Sequence, residues 1–394
     1  MKKILKDVHE YGCLASINSL YIESLGKDGR YSTDPCCLYL APHPSSVDSI
    51  EKLLSNPTID SIRQQFKDDW KRPECTHCVR NEEMGIGSHR LYSLRDGYDG
   101  VIRKWDIRPE STCNLKCAMC NDRVSSKWKE DIDILTKYGN DQTSGDIPSP
   151  AKSRKDFDFD WVYTKCVDTA EFIYIAGGEP FYMKSVQKFL NKLSKNQWNC
   201  DNTRIQIATN GVSNTPKFLD ILSRFKRLEF SLSVDGWGKV NEIIRFPTDH
   251  NTFIENVDEL IQLNPFDVYF NITVQCMNLP NIDELVSNIK NRWGTALYNC
   301  HENKRNLLKA NNIEYTPILF ELHKLEGPNY LRIDNLKPHV VERVFETTDL
   351  PEIKKFCSEY KYDESQNKIM QNYLLDLDVK RKTNSKEILG WCFE

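Results

Sequence analysis

The strongest constraint on the fold is a regular alternation of strand-like and helix-like segments between residues 101 and 323. Short runs rich in β-branched and aromatic residues alternate with longer runs in which apolar residues recur every three or four positions. The strand-like runs are 101–108, 171–177, 203–209, 227–234, 267–275 and 317–323. Because parallel neighbouring strands need a crossover helix between them, this order predicts an α/β fold with a parallel sheet, which binds ligands at the carboxyl ends of its strands.

Three cysteines directly follow the first predicted strand, in the segment STCNLKCAMCNDR (111–123). Cys113, Cys117 and Cys120 lie within eight residues of loop, so their thiolates can wrap three corners of a cubane 4Fe–4S cluster. No fourth cysteine stands at ferredoxin spacing, which leaves one iron with the open position that a catalytic metal site needs. A zinc loop, or cysteines without a shared role, is the alternative.

Glycine-rich or polar residues follow the later strands, at the edge where ligands bind. They are Gly177, Gly178, Glu179 and Pro180 after the second strand, Thr209 and Asn210 after the third, Ser233, Asp235 and Arg245 after the fourth, and Asn271 and Gln275 on the fifth. The two glycines allow a close approach of backbone to ligand, and Glu179 supplies a carboxylate. Each feature taken alone has an ordinary alternative: a strand-to-helix turn, an Asn-Gly turn at Asn210, and a solvated surface charge at Arg245.

This combination resembles the radical S-adenosylmethionine (SAM) superfamily, whose Cys-x3-Cys-x2-Cys loop follows the first strand of a partial (β/α)6 barrel. The resemblance covers about residues 100–325. It implies that SAM chelates the open iron and that an electron cleaves SAM to a 5′-deoxyadenosyl radical, which abstracts hydrogen from a substrate. Met119 departs from the family pattern, because the residue before the last cysteine is usually aromatic and packs near the adenine; a flexible thioether can pack there too.

The same resemblance implies roles for the residues at the strand ends. Glu179, within the Gly-Gly-Glu-Pro motif, would contact the SAM ammonium. Thr209 and Asn210 would lie near the ribose. In the Ser-x-Asp-Gly segment, Ser233 would contact ribose or carboxylate, and Arg245 would pair with the carboxylate through its planar fork.

A second group of cysteines, Cys13, Cys36, Cys75 and Cys78, precedes the alternating region. Their order resembles the first part of the SPASM domain or its shorter twitch form, which binds an auxiliary 4Fe–4S cluster. In most relatives this domain follows the core, so the arrangement is similar to twitch-domain radical SAM proteins, including those of bacteriophages. Cys37 is the alternative to Cys36 as a ligand, and a zinc site is the alternative to the cluster.

The expected organisation is a cysteine-rich domain at 1–98, a radical SAM core at 99–336 and a helical C-terminal extension at 337–394. The net charge of −4 argues against a bulk nucleic-acid substrate. No run approaches the ~20 apolar residues of a membrane span, and the first residues do not form a secretory signal, so a cytoplasmic location is expected. In that reducing compartment, clustered cysteines favour metal binding over disulfides.

The sequence therefore predicts a radical SAM enzyme with one catalytic 4Fe–4S cluster and a further auxiliary cluster. Relatives with twitch and SPASM domains commonly modify peptides or proteins, and some act on small metabolites. The expected partners are SAM, such a substrate and an external electron donor such as flavodoxin or ferredoxin. The alternative from another class is a non-catalytic zinc- or iron–sulfur-binding scaffold or regulator, which would not need the predicted SAM pocket.

Overall fold

The computed structural model describes residues 13, 19–25, 30–34, 36, 46–47, 50–53, 57, 61, 64–66, 71–83, 88, 90, 101–140, 157–310 and 318–394. The chain divides into two compact units. Unit 1 comprises Met1–Ser111, Pro148–Ile207 and Arg224–Arg227, and unit 2 comprises Thr112–Ile147, Ala208–Ser223 and Leu228–Glu394. Each unit is thus assembled from separated stretches of chain, and the three-domain division given above remains a prediction.

The described strands are β1 (Ser19–Leu25), β2 (Arg30–Asp34), β3 (Ser46–Val47), β4 (Lys104–Arg108), β5 (Phe172–Ile175), β6 (Arg204–Thr209), β7 (Arg227–Ser233), β8 (Asp267–Val274) and β9 (Phe320–Lys324). The described α-helices are α1 (Thr76–Glu83), α2 (Ile132–Lys137), α3 (Phe159–Cys166), α4 (Lys184–Leu193), α5 (Gln197–Asn202), α6 (Pro216–Leu222), α7 (Lys239–Ile244), α8 (His250–Gln262), α9 (Ile282–Ala310), α10 (Pro338–Thr347), α11 (Pro351–Ser358), α12 (Glu364–Arg381) and α13 (Ser385–Ile388).

The strands of unit 1 are arranged in the order β3-β2-β1-β4-β5-β6. β1 pairs with β2 in the antiparallel sense, whereas β1 with β4, β4 with β5 and β5 with β6 are parallel pairs. Ile107, Ile175 and Ile207 are register partners across three neighbouring strands, and all three are fully buried. Because side chains alternate between faces along a strand, such rows place β-branched residues in the core of the unit.

In unit 2, β7 pairs with β8 and β8 with β9, and both pairs are parallel. Val268, Phe270, Ile272 and Val274 of β8 are completely buried at alternate positions. Helix α9 packs on this strand, and the ring of its Trp293 stacks on Phe270 at 5.1 Å between centroids. The buried row therefore forms the core beneath the polar residues that follow β7 and β8.

Local sequence explains where several helices begin. Asp158, Asp249 and Asp363 precede α3, α8 and α12, and each carboxylate accepts the backbone N–H three residues later. Thr215 caps α6 in the same way and is followed by Pro216 at the first helical position. These side chains satisfy donors that a helix leaves unpaired at its start, so the boundaries follow from the capping residues.

The α/β class and the helical C-terminal region are confirmed. All six predicted core strands are present, as β4 to β9, with small shifts at their ends. Within residues 1–98 the sequence did not predict strands, but β1 to β3 lie there and β1 extends the parallel arrangement. Leu20 and Ile22 of β1 are buried at alternate positions, the period-2 pattern that indicates a strand.

After Cys120, a turn and a 3-10 helix, Ser126–Asp131, precede α2. Across the described residues, we find no helix with both the length and the apolar character of a membrane span.

Candidate metal and cofactor site

The cysteine loop lies in unit 2, and hydrogen bonds from distant residues hold its backbone. The N–H groups of Lys116 and Ala118 donate to the carbonyls of Phe246 and Ile244, each at 2.7 Å. The indole Nε1 of Trp128 donates to the carbonyl of Cys117 at 3.0 Å, from a completely buried ring. These bonds fix the direction of the chain around Cys117 before any ligand binds.

The three thiols of this loop lie close enough to influence one another. Cys117 is buried, whereas Cys113 and Cys120 are partly exposed. A hydrogen bond with the Cys120 thiol lowers the pKa of Cys117, and the positive charge of Arg245 acts in the same direction. The hydrogen bond with Cys117 and burial raise the pKa of Cys120, and the charge of Cys113 acts in the same direction. Met119, between the last two cysteines, is partly exposed. The loop therefore gathers three sulfur donors, of which Cys117 most readily becomes a thiolate.

A buried ion pair lies beside these thiols. Nη2 of Arg245 is 2.7 Å from Oδ2 of Asp235, and both residues are buried. Burial disfavours the charge of Arg245, but the charges of Asp235, Cys117 and Cys120 raise its pKa above the usual value. Nε of Arg245 has no hydrogen-bond partner among the described residues. The guanidinium thus remains charged and keeps a donor for a further anionic partner.

The backbone around Asp235 explains its fixed position. Its Oδ1 accepts the N–H of Thr273 at 2.7 Å, and its own N–H donates to Oδ1 of Asn241 at 3.1 Å. A Cβ on Gly236 would lie 2.5 Å from Cγ1 of Val240, so only glycine fits after this aspartate. The Asp-Gly pair therefore positions the carboxylate that orients Arg245.

Asn210 connects the end of β6 to the cysteine loop within unit 2. Its Nδ2 donates to Oδ1 of Asn114 at 2.8 Å, and Nδ2 of Asn114 donates to Oγ of Ser213 at 2.9 Å. Oδ1 of Asn210 accepts the N–H of Val212 at 3.0 Å, and Oγ1 of Thr209 accepts the N–H of Gly211 at 3.1 Å. Both side chains therefore build the turn, and Asn210 additionally braces the loop. Sequence reasoning did not select Asn114, because a single loop asparagine carries no spacing signal.

The other predicted residues of unit 2 lie at the ends of β7 and β8. Ser233 and Asn271 are register partners, and both are partly exposed. Gln275 is fully buried, and neither atom of its side-chain amide has a hydrogen-bond partner among the described residues.

The Gly-Gly-Glu-Pro motif lies in unit 1, directly after β5. Gly177 has a φ of +111°, and a Cβ there would lie 2.9 Å from the carbonyl oxygen of Glu110. The N–H of Gly178 donates to that same carbonyl at 3.0 Å. Glu179 is buried, and its Oε1 accepts the N–H of Phe181 at 2.9 Å. The turn at Gly177 therefore needs glycine for its backbone conformation, and Glu179 after it is held in one orientation.

Unit 1 also contains the N-terminal cysteines. Cys75 ends the 3-10 helix Pro73–Cys75, and Cys78 follows within the first turn of α1. Burial is the main cause that raises the pKa of Cys75 to about 12, and the charges of Cys13 and Cys78 contribute. Cys13 and Cys78 therefore both lie within electrostatic reach of Cys75. Cys36 is partly exposed, and Cys37 lies outside the described residues.

Within the described part of the chain, no group of three or more His, Cys, Asp and Glu side chains has the spacing of a single-ion site.

The fold and the cysteine loop define the class: a parallel α/β protein with three clustered thiols after a strand. Residues 107–287, a little under half of the chain, match the model of the Radical SAM superfamily. No curated protein matches the chain.

Similar solved structures include Streptococcus suis SuiB bound to S-adenosylmethionine, at 15% identity and a TM-score of 0.33, covering 86% of this chain and 53% of that chain. Native anSMEcpe with bound AdoMet and Kp18Cys peptide matches at 16% identity and a TM-score of 0.34, covering 61% and 58%. TYW1 with a lysine-pyruvate adduct bound matches at 14% identity and a TM-score of 0.29, covering 61% and 71%. The chain spans a little over half the length of SuiB and anSMEcpe.

Proposed function

We propose that this chain is a radical SAM enzyme in which Cys113, Cys117 and Cys120 hold a 4Fe–4S cluster. The observation that carries the proposal is the gathering of three thiols beside the buried Arg245 cation, within a radical SAM domain. Three cysteines leave one iron of a cubane for another ligand, and SAM is the ligand that this domain class implies. When bound, the cluster supplies an electron that cleaves SAM to a 5′-deoxyadenosyl radical, which abstracts hydrogen from a substrate.

The donor set fits such a cluster. Iron binds thiolates rather than thiols, so a cysteine loop must lose protons as the metal enters. The lowered pKa of Cys117 and the positive charge of Arg245 both favour this loss. The hydrogen bonds to Lys116, Cys117 and Ala118 keep the loop in place, which reduces the entropy lost when a ligand binds.

Arg245 and Glu179 are the proposed contacts to SAM. Asp235 holds one end of the guanidinium of Arg245, and its Nε remains available for a carboxylate. Glu179 presents a buried carboxylate of opposite charge, suited to an ammonium. Both are charge-assisted contacts, which are stronger than neutral hydrogen bonds. Met119, Thr209, Asn210 and Ser233, all of unit 2, are proposed to contact the nucleoside part of SAM.

For the substrate, we propose a peptide or protein as the first class to test and a small metabolite as the second. The resemblance to twitch-domain enzymes supports this order.

We also propose that Cys13, Cys36, Cys75 and Cys78 bind an auxiliary 4Fe–4S cluster. The proximity of Cys13, Cys75 and Cys78 supports it.

The proposed function is tested by reconstituting the protein with iron and sulfide in the absence of air. We expect Mössbauer spectra of 4Fe–4S clusters and, after reduction chemically or by flavodoxin or ferredoxin, release of 5′-deoxyadenosine from SAM. Cluster formation without any SAM cleavage would favour the scaffold alternative. A protein that takes up zinc in place of iron would contradict the enzyme proposal.

The auxiliary cluster predicts a loss of metal in the double variant Cys75→Ser/Cys78→Ser. Its iron content should fall by about four atoms per chain, one cubane, because two ligands are missing. Cys166→Ser is the matched control, since Cys166 is a buried cysteine of the same unit whose pKa burial raises to about 12. Equal iron in the double variant and its parent, or zinc in the parent, would contradict the auxiliary cluster.

Glu179→Gln should weaken SAM binding about 10- to 100-fold while iron content stays at the parental level. The amide retains an acceptor for the N–H of Phe181 but loses the charge, and hydrogen bonds to charged groups contribute about 1.5–3 kcal/mol. Equilibrium binding to the reconstituted protein measures the change. Glu171→Gln is the control, because Glu171 forms an exposed pair with Arg103 at 3.5 Å in the same unit. Unchanged affinity would exclude Glu179 as a contact of SAM.

A further inference from the structure

Helix α12, near the end of the chain, contacts the cysteine loop directly, and both elements belong to unit 2. Oη of Tyr373 donates to the carbonyl of Ala118 at 2.7 Å, and Nη2 of Arg381 donates to the carbonyl of Lys116 at 2.8 Å. Tyr373 is completely buried, and the side chain of Arg381 is 2% exposed. The two residues are eight positions apart, a spacing that returns to the same face of a helix.

These two bonds belong to a group of hydrogen bonds that hold the backbone on both sides of Cys117. Three successive carbonyls, of Lys116, Cys117 and Ala118, each accept a side-chain donor, and two of the three donors come from α12. The N–H groups of Lys116 and Ala118 are held by the carbonyls of Phe246 and Ile244, at and just after the end of α7. A buried carbonyl that loses its partner costs about 1–3 kcal/mol, so this segment depends on α12 for its conformation.

Arg381 also brings a positive charge to the loop. Its guanidinium carbon lies 4.9 Å from the ring centroid of Trp128 and 5.1 Å from that of Phe246. The nearest carboxylate oxygen, Oδ2 of Asp131, is 3.9 Å from Nε and lies 2.8 Å from Nζ of Lys116. Nη1 and Nε have no hydrogen-bond partner among the described residues. This charge is therefore buried and only partly neutralised, in a setting where electrostatic effects act over longer distances than in water.

We propose that α12 is part of the cluster site: Tyr373 and Arg381 fix the backbone on both sides of Cys117, and the Arg381 charge favours the reduced cluster. This inference rests on the proposed function. Reduction adds a negative charge beside Cys117, and a nearby buried cation stabilises the more negative state, which raises the reduction potential. Tyr373 and Arg381 are thus positioning residues, and the C-terminal extension has a defined role.

The anchoring is tested in the iron-free protein by hydrogen exchange of the peptide that covers residues 113–123. Tyr373→Phe and Arg381→Gln should each accelerate exchange there about tenfold, the effect of losing one buried hydrogen bond. Tyr360→Phe is the matched control, because Oη of Tyr360 donates to the carbonyl of Leu336 at 2.6 Å, away from the loop. Arg343→Gln is the control for charge, since Arg343 is exposed and pairs with Glu394. Both controls should exchange at the parental rate.

The charge is tested in the reconstituted protein by the midpoint potential of the cluster. Arg381→Gln should make the potential more negative by about 59 mV, if the reduced state is destabilised tenfold in this one-electron couple. Arg381→Lys retains the charge without the planar fork, so it should restore the potential but not the slow exchange of the loop. A merely structural role would not produce this separation between the two variants.

Two results would overturn the inference: parental exchange rates in Tyr373→Phe and Arg381→Gln, or a parental midpoint potential in Arg381→Gln. Tyr373→Phe removes one oxygen atom from a buried ring, so the variant should fold and remain informative. Iron uptake by the parent measures the proposed function, whereas exchange in the iron-free protein measures the anchoring. Failure of one is therefore distinguishable from failure of the other.

Discussion

Replacing Cys117 with alanine should abolish the release of 5′-deoxyadenosine from SAM and leave the fold intact. Cys117 is the buried member of the three thiols and the one whose pKa is lowered, so its loss removes the sulfur that most readily binds iron. The backbone hydrogen bonds of the loop involve the carbonyl of Cys117 and the groups of its neighbours, none of which the substitution deletes. Product quantitation after anaerobic reduction and circular dichroism of the apo protein measure the two effects.

Cys357→Ala is the matched control for this experiment. Cys357 is a buried cysteine of the same unit, and burial raises its pKa to about 11, so it stays protonated near neutral pH. The control should cleave SAM at the parental rate. Turnover in Cys117→Ala equal to that of the control would refute the assignment of the cysteine loop as the cluster site.

Arg245→Gln should lower the free energy of unfolding of the apo protein by about 3–5 kcal/mol, because it leaves the carboxylate of Asp235 buried without its partner. The same variant should bind SAM about 10- to 100-fold more weakly, since a charge-assisted contact to the carboxylate is lost. Denaturant unfolding and equilibrium binding measure these quantities separately.

The double variant Asp235→Asn/Arg245→Gln separates the two roles. The introduced amide would keep an acceptor for the N–H of Thr273 and carries no charge, so part of the lost stability should return. SAM binding should remain weak, because the guanidinium is still absent. Arg292→Gln is the control, as its surface pair with Asp258 should contribute no more than about 1 kcal/mol. Parental SAM affinity in Arg245→Gln would exclude the proposed carboxylate contact.

Asn210 shows which contacts a local sequence pattern predicts and which depend on the tertiary structure. The Asn-Gly dipeptide predicts a turn because asparagine bonds its own backbone two residues on, and the bond to the N–H of Val212 is present. The same side chain also braces Asn114 in the cysteine loop. The sequence offered the turn as the alternative to a ligand contact. The turn is present, and the bond to Asn114 is an additional contact that the sequence did not predict.

For Arg245 too, the tertiary structure shows a contact that the sequence did not predict. The resemblance to the radical SAM superfamily implied a ligand contact for Arg245, with a solvated surface charge as the alternative. The residue is buried and shares its fork with Asp235. Nothing in the residues between them predicts this pairing, because it depends on how α7 returns the chain towards the end of β7.

The sequence by itself determined the order of strands β4 to β9, the spacing of Cys113, Cys117 and Cys120, and the turn that needs glycine at Gly177. These are local properties, since periodicity, capping and backbone sterics act over a few residues. Only the tertiary structure decided that Tyr373 would contact Ala118, 255 positions away, and that Arg381 would lie over Trp128. The physical reason is that buried contacts depend on packing between distant elements, which leaves no periodic signal in either segment.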